Sequence, residues 1–141
     1  MAEVQSRCNN CHFELFGDAA VKKMFRAIPR VSVMHAMSWP DYLAWSSSEK
    51  RDISLAPLMA GQFNAARGPT KFFDYTRMQA AGIYSNVAPY KGFINDGIDG
   101  LLLENEPKHW VEAILALVSD PEKRNAIMNA SIKRIEALAK D

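Results

Sequence analysis

The amino-acid sequence predicts an α/β domain with a parallel sheet. Five short apolar runs, at 12–17, 31–34, 53–58, 83–86 and 100–104, carry β-type patterning. Each run is followed by a segment with helix start or stop signals. Strands that alternate with helices in this way build right-handed crossovers and leave few topologies. The composition, 48% hydrophobic and 23% charged, suits a folded chain and excludes a disordered or collagen-like one.

The first run, HFELFG (12–17), closes on Gly17 and Asp18, and Asp18 is placed to cap the next segment. There Val21, Met24, Phe25 and Ile28 fall at i, i+3, i+4 and i+7, one face of a helix, and Pro29 ends it. After VSVM (31–34), Ser38 reads as an N-cap, Pro40 lies in the first turn and Asp41 reaches back as in a capping box. Tyr42 and Leu43 form the buried side of that helix, and the polar run SSSEKRD (46–52) is expected to be exposed. ISLAPL (53–58) is almost wholly apolar, as a strand covered on both faces would be. A loop, MAGQFNAARG, leads to Pro69, which opens a helix through KFFDYTRMQAA; Gly82 stops it as a C-terminal glycine. The strand at 83–86 follows. PYKGFINDGIDG holds one helical turn and several turn residues before the strand GLLLE (100–104). Pro107 starts a helix with Trp110, Ile114, Leu117 and Val118 on one face. Asp120-Pro121 caps and starts the last helix, which carries Met128, Ile132, Ile135 and Leu138. There are no internal repeats, no low-complexity tracts and no linker long enough to split the chain.

Length and charge exclude several functions. A chain of 141 residues and 15.8 kDa makes one ordinary domain with a real core. Its net charge of +1 offers no basic field for nucleic acid. No apolar run approaches a membrane span, and the start lacks the apolar region of a secretory signal. With two cysteines there is no disulfide framework, so a cytoplasmic location is expected. CNNCH (8–12) matches the c-type haem attachment pattern, with Cys8 and Cys11 for the thioethers and His12 as axial ligand. That chemistry needs export, which has no signal here, and His12 opens an apolar strand. Zinc lacks a second close pair beside these thiols; only His12, His35 and His109 remain. No metal is therefore expected, and residues 1–11 read as a surface segment leading into the first strand. The turn after that strand, Gly17-Asp18-Ala19-Ala20, lacks the second and third glycines of GxGxxG. GxxxxGK[ST] and Gly-x-Ser-x-Gly do not occur.

The stretch from Asp52 to Asn86 is the most informative. A buried strand ends in Pro57-Leu58, a polar loop carries Asn64 and Arg67, and a helix starts near Pro69. Ligands of open α/β sheets sit just beyond the carboxyl ends of the strands, where a helix N-terminus presents free N–H groups to an anion. Arg67 and Lys71 add positive charge at that end, and Asp74, one turn on, would accept hydrogen bonds from paired sugar hydroxyls. Spacing alone leaves two readings open: a site for a phosphate joined to a polyol, such as a nucleotide sugar, or a helix start decorated with solvated charges.

The residues also resemble a family. One branch of the GT-B glycosyltransferases, within the glycosyl transferase group 1 family, carries D-I-x-L-x-P-L, then F-N-x-x-[KR]-[SG]-x-x-K-F-x-[ED]-Y, then A-x-G-x-P-V-V-x-S-x-V in its donor-binding half. The matching residues here are Asp52, Ile53, Leu55, Pro57 and Leu58; Phe63, Asn64, Arg67, Gly68, Lys71, Phe72, Asp74 and Tyr75; and Ala80, Gly82, Ser85 and Val87. YKGFINDG (90–97), DGLLL (99–103) and the Trp110 helix resemble the family's ending, and HFELFGD its earlier strand ending in glycine. The resemblance covers roughly residues 12 to 130, with 52–103 as its specific part.

The resemblance implies a domain, residues 12–141, that binds a nucleotide diphosphate sugar without an obligatory metal or cofactor. The donor-binding candidates it supplies are Asn64, Arg67, Gly68, Lys71, Asp74 and Tyr75, with Asp74 on the ribose and Arg67 and Lys71 on the diphosphate. His35, beyond the second strand, would approach the base; its plainer reading is a surface or half-buried histidine. The family's glutamate pair is not matched, because Ala66 stands eight positions before Asp74. The family's acceptor domain and the first strand-helix unit of its donor domain have no counterpart in the chain. The expected fold is therefore a three-layer Rossmann-like sheet of about five strands in the order 2-1-3-4-5. The expected function is the nucleotide-sugar-binding half, or a remnant, of a group 1 glycosyltransferase, not catalytic alone. Its partner would be a separate acceptor-domain protein or a second copy of the chain. The alternatives are an interaction domain that keeps the fold without the donor site, and an unrelated α/β module that binds a phosphorylated ligand through Arg67 and Lys71.

Overall fold

A computed structural model describes residues 1–140. Asp141, the last residue of the expected 12–141 domain, lies outside the described residues. The chain forms two compact units, Met1–Trp45 and a second beginning at Ser46, and each is taken by itself.

In the first unit, α1 (Ala2–Arg7), β1 (Phe13–Phe16), α2 (Ala19–Phe25) and β2 (Val31–Met34) lead into α3 (Trp39–Ser48). β1 and β2 pair in parallel, from Phe13 opposite Val31 to Phe16 opposite Met34. The two predicted caps form: the Asp18 carboxylate accepts the Val21 N–H at 3.0 Å, and Ser38 Oγ donates to Asp41 at 2.6 Å while accepting the Asp41 N–H at 3.3 Å. Phe16 meets Tyr42 and Trp45 edge-on. Met24, expected on the buried face of α2, is 72% exposed. The half-buried row is Val21, Phe25 and Ile28, and Met24 falls beside it. Nor do residues 1–11 run freely over the surface. Val4 is fully buried, and Gln5 Nε2 donates to the carbonyls of Pro29 and Arg30 at 2.6 and 3.2 Å. Arg30 answers with bonds to the carbonyls of Gln5 (3.1 Å) and Cys11 (3.2 Å). One apolar side chain and this reciprocal clasp fasten α1.

The second unit holds β3 (Ile53–Ala56), α4 (Gln62–Ala65), α5 (Thr70–Arg77), β4 (Ala81–Ser85), β5 (Leu101–Leu103), α6 (Pro107–Ser119) and α7 (Pro121–Leu138). Its sheet is parallel, ordered β3-β4-β5, with Ile53 opposite Ala81 and Ile83 opposite Leu101. β3 stops before Pro57, which has no N–H to extend the ladder. All five residues of the central strand β4 are buried, and α5 and α7 pack on it and on each other. Phe72, Ile83, Tyr84, Leu117 and Ile127 form the heart of the core. On α7 the buried row is Ile127 and Ser131, flanked by half-buried Met128, Ile132 and Ile135, while Leu138 is exposed.

The fold is mixed α/β with parallel strands, as expected. The described strands form two sheets, β1-β2 and β3-β4-β5, where one sheet of about five strands in the order 2-1-3-4-5 was expected. The burial patterns differ accordingly: β1 alternates half-buried and exposed residues, whereas β4 is covered on both faces. Two local expectations are corrected. Gly82 lies inside β4 and does not stop α5; the helix is capped by Met78, and Gln79 takes the left-handed turn at φ 53°. Ser46 is fully buried, not exposed, because α3 continues through it and its hydroxyl accepts from Arg77 Nε at 2.9 Å.

Asp120 holds the turn between α6 and α7, its carboxylate accepting the Lys123 N–H at 2.9 Å. Asp120→Ala is expected to lower the unfolding free energy by about 1 kcal/mol in a urea titration, the usual value of an N-cap bond.

Candidate functional site

The carboxyl end of β3 opens into a cleft of about 200 Å³ within the second unit. Three segments make its wall: Leu55–Leu58 from the strand end, Arg67 to Lys71 with Tyr75 from the entry to α5, and Pro89-Tyr90 beyond β4. A hydrogen-bonded knot holds the strand end. The buried Ser85 Oγ accepts the Leu58 N–H (2.8 Å) and donates to Asn105 Oδ1 (2.6 Å), and Asn105 Nδ2 donates to the Leu58 carbonyl (2.8 Å). On the opposite wall the Tyr75 hydroxyl donates to the Leu55 carbonyl at 2.5 Å, which fixes α5 against β3.

The first turn of α5 faces this cleft. Its N-cap is Pro69, with no side-chain cap, and Thr70 and Lys71 both line the wall. A helix start of this kind carries partial positive charge. Arg67 and Lys71 add two full charges, and Arg67 also lies 6.0 Å from the ring of the exposed Phe63. Burial pushes the Tyr90 phenol above its ordinary pKa, while the Arg67 charge works against that rise. Tyr90 thus stays a neutral donor at physiological pH. The cleft is cationic, with the neutral Tyr90 phenol beside the cations.

The expected site residues fall in four places. Arg67, Gly68, Lys71 and Tyr75 come together in the cleft. Asp74 is buried behind it: its oxygens meet Arg77 Nη2 at 2.5 Å and Lys71 Nζ at 3.4 Å, and it is not among the lining residues. Asn64 sits on α4, with its amide donating to the Met59 carbonyl at 2.8 Å and closing the preceding loop. His35 is an exposed residue of the first unit. Thr70, Pro89 and Asn105 were not singled out in the sequence. Asn105 carried a legible signal, a lone amide between an apolar strand and a helix-opening proline. Beside the cleft, Pro57 and Leu58 also border an apolar hollow of about 280 Å³, with Met59, Pro107 and Trp110. Among the described residues no group of three or more His, Cys, Asp or Glu is placed to hold a metal, and no helix is long and apolar enough to cross a membrane.

No family model matches the chain. No curated protein matches it in sequence either. Solved structures do match. The C-terminal domain of a glycosyl transferase group 1 family protein (LpcC) from Francisella tularensis superposes with a TM-score of 0.64 at 15% identity, over 84% of this chain and 58% of that one. A glycosyltransferase from Rickettsia africae ESF-5 gives 0.65 at 19% identity, over 92% of this chain and 36% of that one. TarM gives 0.68 at 16% identity, over 95% of this chain and 27% of that one. At such identities the likeness is one of fold, and the chain spans only part of the length of each of these structures.

Proposed function

We propose that this chain, which has the fold of the C-terminal domain of group 1 glycosyltransferases, binds the diphosphate of a nucleotide sugar in the cleft at the end of β3. The observation that carries this is the meeting of Arg67, Lys71 and the uncapped start of α5 on one wall. A diphosphate presents oxygens to both charged side chains and to the helix N-terminus at once. Asp74 enters as the carboxylate that holds Lys71 toward the cleft; it grips a pentose directly only if Arg77 and Lys71 share its oxygens. The lining residues include no carboxylate or imidazole to take a proton from an acceptor hydroxyl. Transfer would therefore need a group supplied from outside the cleft, by an acceptor-binding domain or a partner.

The test is titration of the protein with UDP, GDP, their sugars and inorganic pyrophosphate, read by calorimetry and melting temperature. UDP or GDP is expected to raise the melting temperature. Arg67→Ala and Lys71→Ala are each expected to weaken binding about tenfold, the value of one charge-assisted hydrogen bond. Asp74→Asn should loosen nucleotide less than Lys71→Ala if it acts through the lysine, and more if it touches the pentose. The Asp74–Arg77 pair and Ala66 favour a second reading, an interaction domain without a donor site. No response to any nucleotide would establish that reading in place of the first. A response to pyrophosphate equal to that for the nucleotides would assign the cleft to phosphorylated ligands in general.

A further inference from the structure

The two cysteines of the first unit serve no step of the proposed function, and their placement is specific. Cys8 is the C-cap of α1 and is buried; Cys11, three residues on, is half-buried. Both are free thiols. The Cys8 S–H donates to Asn10 Oδ1 at 2.9 Å, and Cys8 is the neighbouring group that acts on the Cys11 thiol. The segment between them is anchored on both sides. Gln5 is bonded to the carbonyls of Pro29 and Arg30, and Arg30 holds the Cys11 carbonyl at 3.2 Å. Two thiols three residues apart, on backbone fastened at each end, can close a short disulfide loop.

We infer that Cys8 and Cys11 form a dithiol site for thiol–disulfide exchange, which a small-molecule disulfide closes to an intramolecular bond. The half-buried Cys11 reacts first. Its thiolate attacks one sulfur of the external disulfide, that S–S bond breaks, and one small thiolate leaves. Cys8 then attacks the Cys11 sulfur of the mixed disulfide, forming Cys8–Cys11 and expelling the second small thiolate. Each attacking thiol gives its proton to solvent and each departing thiolate takes one up. The protein dithiol is thereby oxidised by two electrons and the external disulfide is reduced to two thiols. Burial and the contact with Cys8 push the Cys11 thiol up to about 11, with Arg30 opposing the shift, so exchange at neutral pH is slow. The closed loop ties the end of α1 to the residue before His12, in the same place as the Gln5–Arg30 clasp.

The experiment incubates the full chain with oxidised glutathione in mildly alkaline buffer, quenches with an alkylating agent, and reads the intact mass. The expected product has lost two hydrogens, takes up no alkyl group, and melts higher than the reduced protein. Dithiothreitol should restore two alkylatable thiols. Cys8→Ser should instead accumulate a stable glutathione adduct on Cys11, since nothing expels the second thiol. Should Cys8→Ser fold poorly, Cys11→Ser, at the more exposed position, tests the order of attack: it should stay free of glutathione because the buried Cys8 does not react first, and a ready adduct on Cys8 would overturn that order. A wild-type protein that stays fully alkylatable, or that stops at one glutathione adduct on Cys11, would overturn the assignment.

Discussion

Arg134→Met is expected to lower the unfolding free energy by about 3–5 kcal/mol, the cost of removing one partner from a buried ion pair. Asp99 is 2% exposed and lies in the turn between Ile94 and β5. Arg134, reaching from α7, donates to its Oδ2 at 2.7 Å. Among the described residues the other donors shown to that carboxylate are the Asn95 N–H at 2.9 Å and the Asn95 side-chain amide at 2.6 Å. Neither carries charge, so the substitution leaves an anion in the core with amides alone. The guanidinium carbon also lies 4.2 Å from the Phe93 ring centre and 5.4 Å from that of Phe72, contacts that methionine replaces only in part. Removing both charges, in Asp99→Asn with Arg134→Met, should cost less than Arg134→Met alone, because no unpaired charge stays buried. Urea titrations of the two single variants and the double variant measure this. A cost below about 1 kcal/mol for Arg134→Met would mean that water reaches Asp99 and that the pair contributes as a surface one does.

That pair marks the limit of what the sequence discloses. Helix starts were legible because their chemistry is local: Asp18, Ser38 and Asp120 each meet an N–H or side chain three residues on. The strands were legible as apolar runs, although their edges moved where Pro57 lacks a donor and where β4 begins at Ala81. The cationic wall was legible through spacing and through the resemblance, which put Arg67, Gly68, Lys71 and Tyr75 on one loop and helix start. The direction of Asp74 was not. The segment TKFFDYTR places Lys71 and Arg77 three residues to either side of Asp74, so one helix face carries cation, anion, cation. That row was visible, but whether the carboxylate turns along the helix or into the cleft depends on what else surrounds it. Ser46 shows the same dependence. It belongs to a polar run in the sequence, and only the approach of Arg77 from another helix makes its burial tolerable. Partners distant in the chain decide these cases, and no local period encodes them.

Gly82→Ala is expected to cost about 3 kcal/mol, the upper end of what one extra methyl costs in a packed core. Tyr84 is 1% exposed and folds back along β4, so a Cβ at Gly82 would meet its ring and hydroxyl directly. A Cβ at Gly100 would lie 2.8 Å from Tyr84 Cε2 and 3.0 Å from Ile94 Cγ2. The ring has nowhere to retreat: it lies against Tyr75 at 5.7 Å, Tyr90 at 4.9 Å and Phe72 at 6.5 Å between centres. Both glycines therefore leave room for one aromatic side chain. If Gly82 instead ended α5, alanine would cost about 1–2 kcal/mol for a left-handed backbone, whatever residue stood at 84. The double variant Gly82→Ala with Tyr84→Leu separates the two roles. Leucine frees the space the new methyl needs, so the double variant should be more stable than the sum of the single costs requires, by about 1–2 kcal/mol. Strict additivity in urea titrations would show that the two side chains do not compete for space. Tyr84 also stacks on Tyr75 and packs against Tyr90 at a tilt, and both of those rings line the cleft. Nucleotide affinity measured on Gly82→Ala should therefore fall with its stability, and Tyr84→Leu should restore part of both.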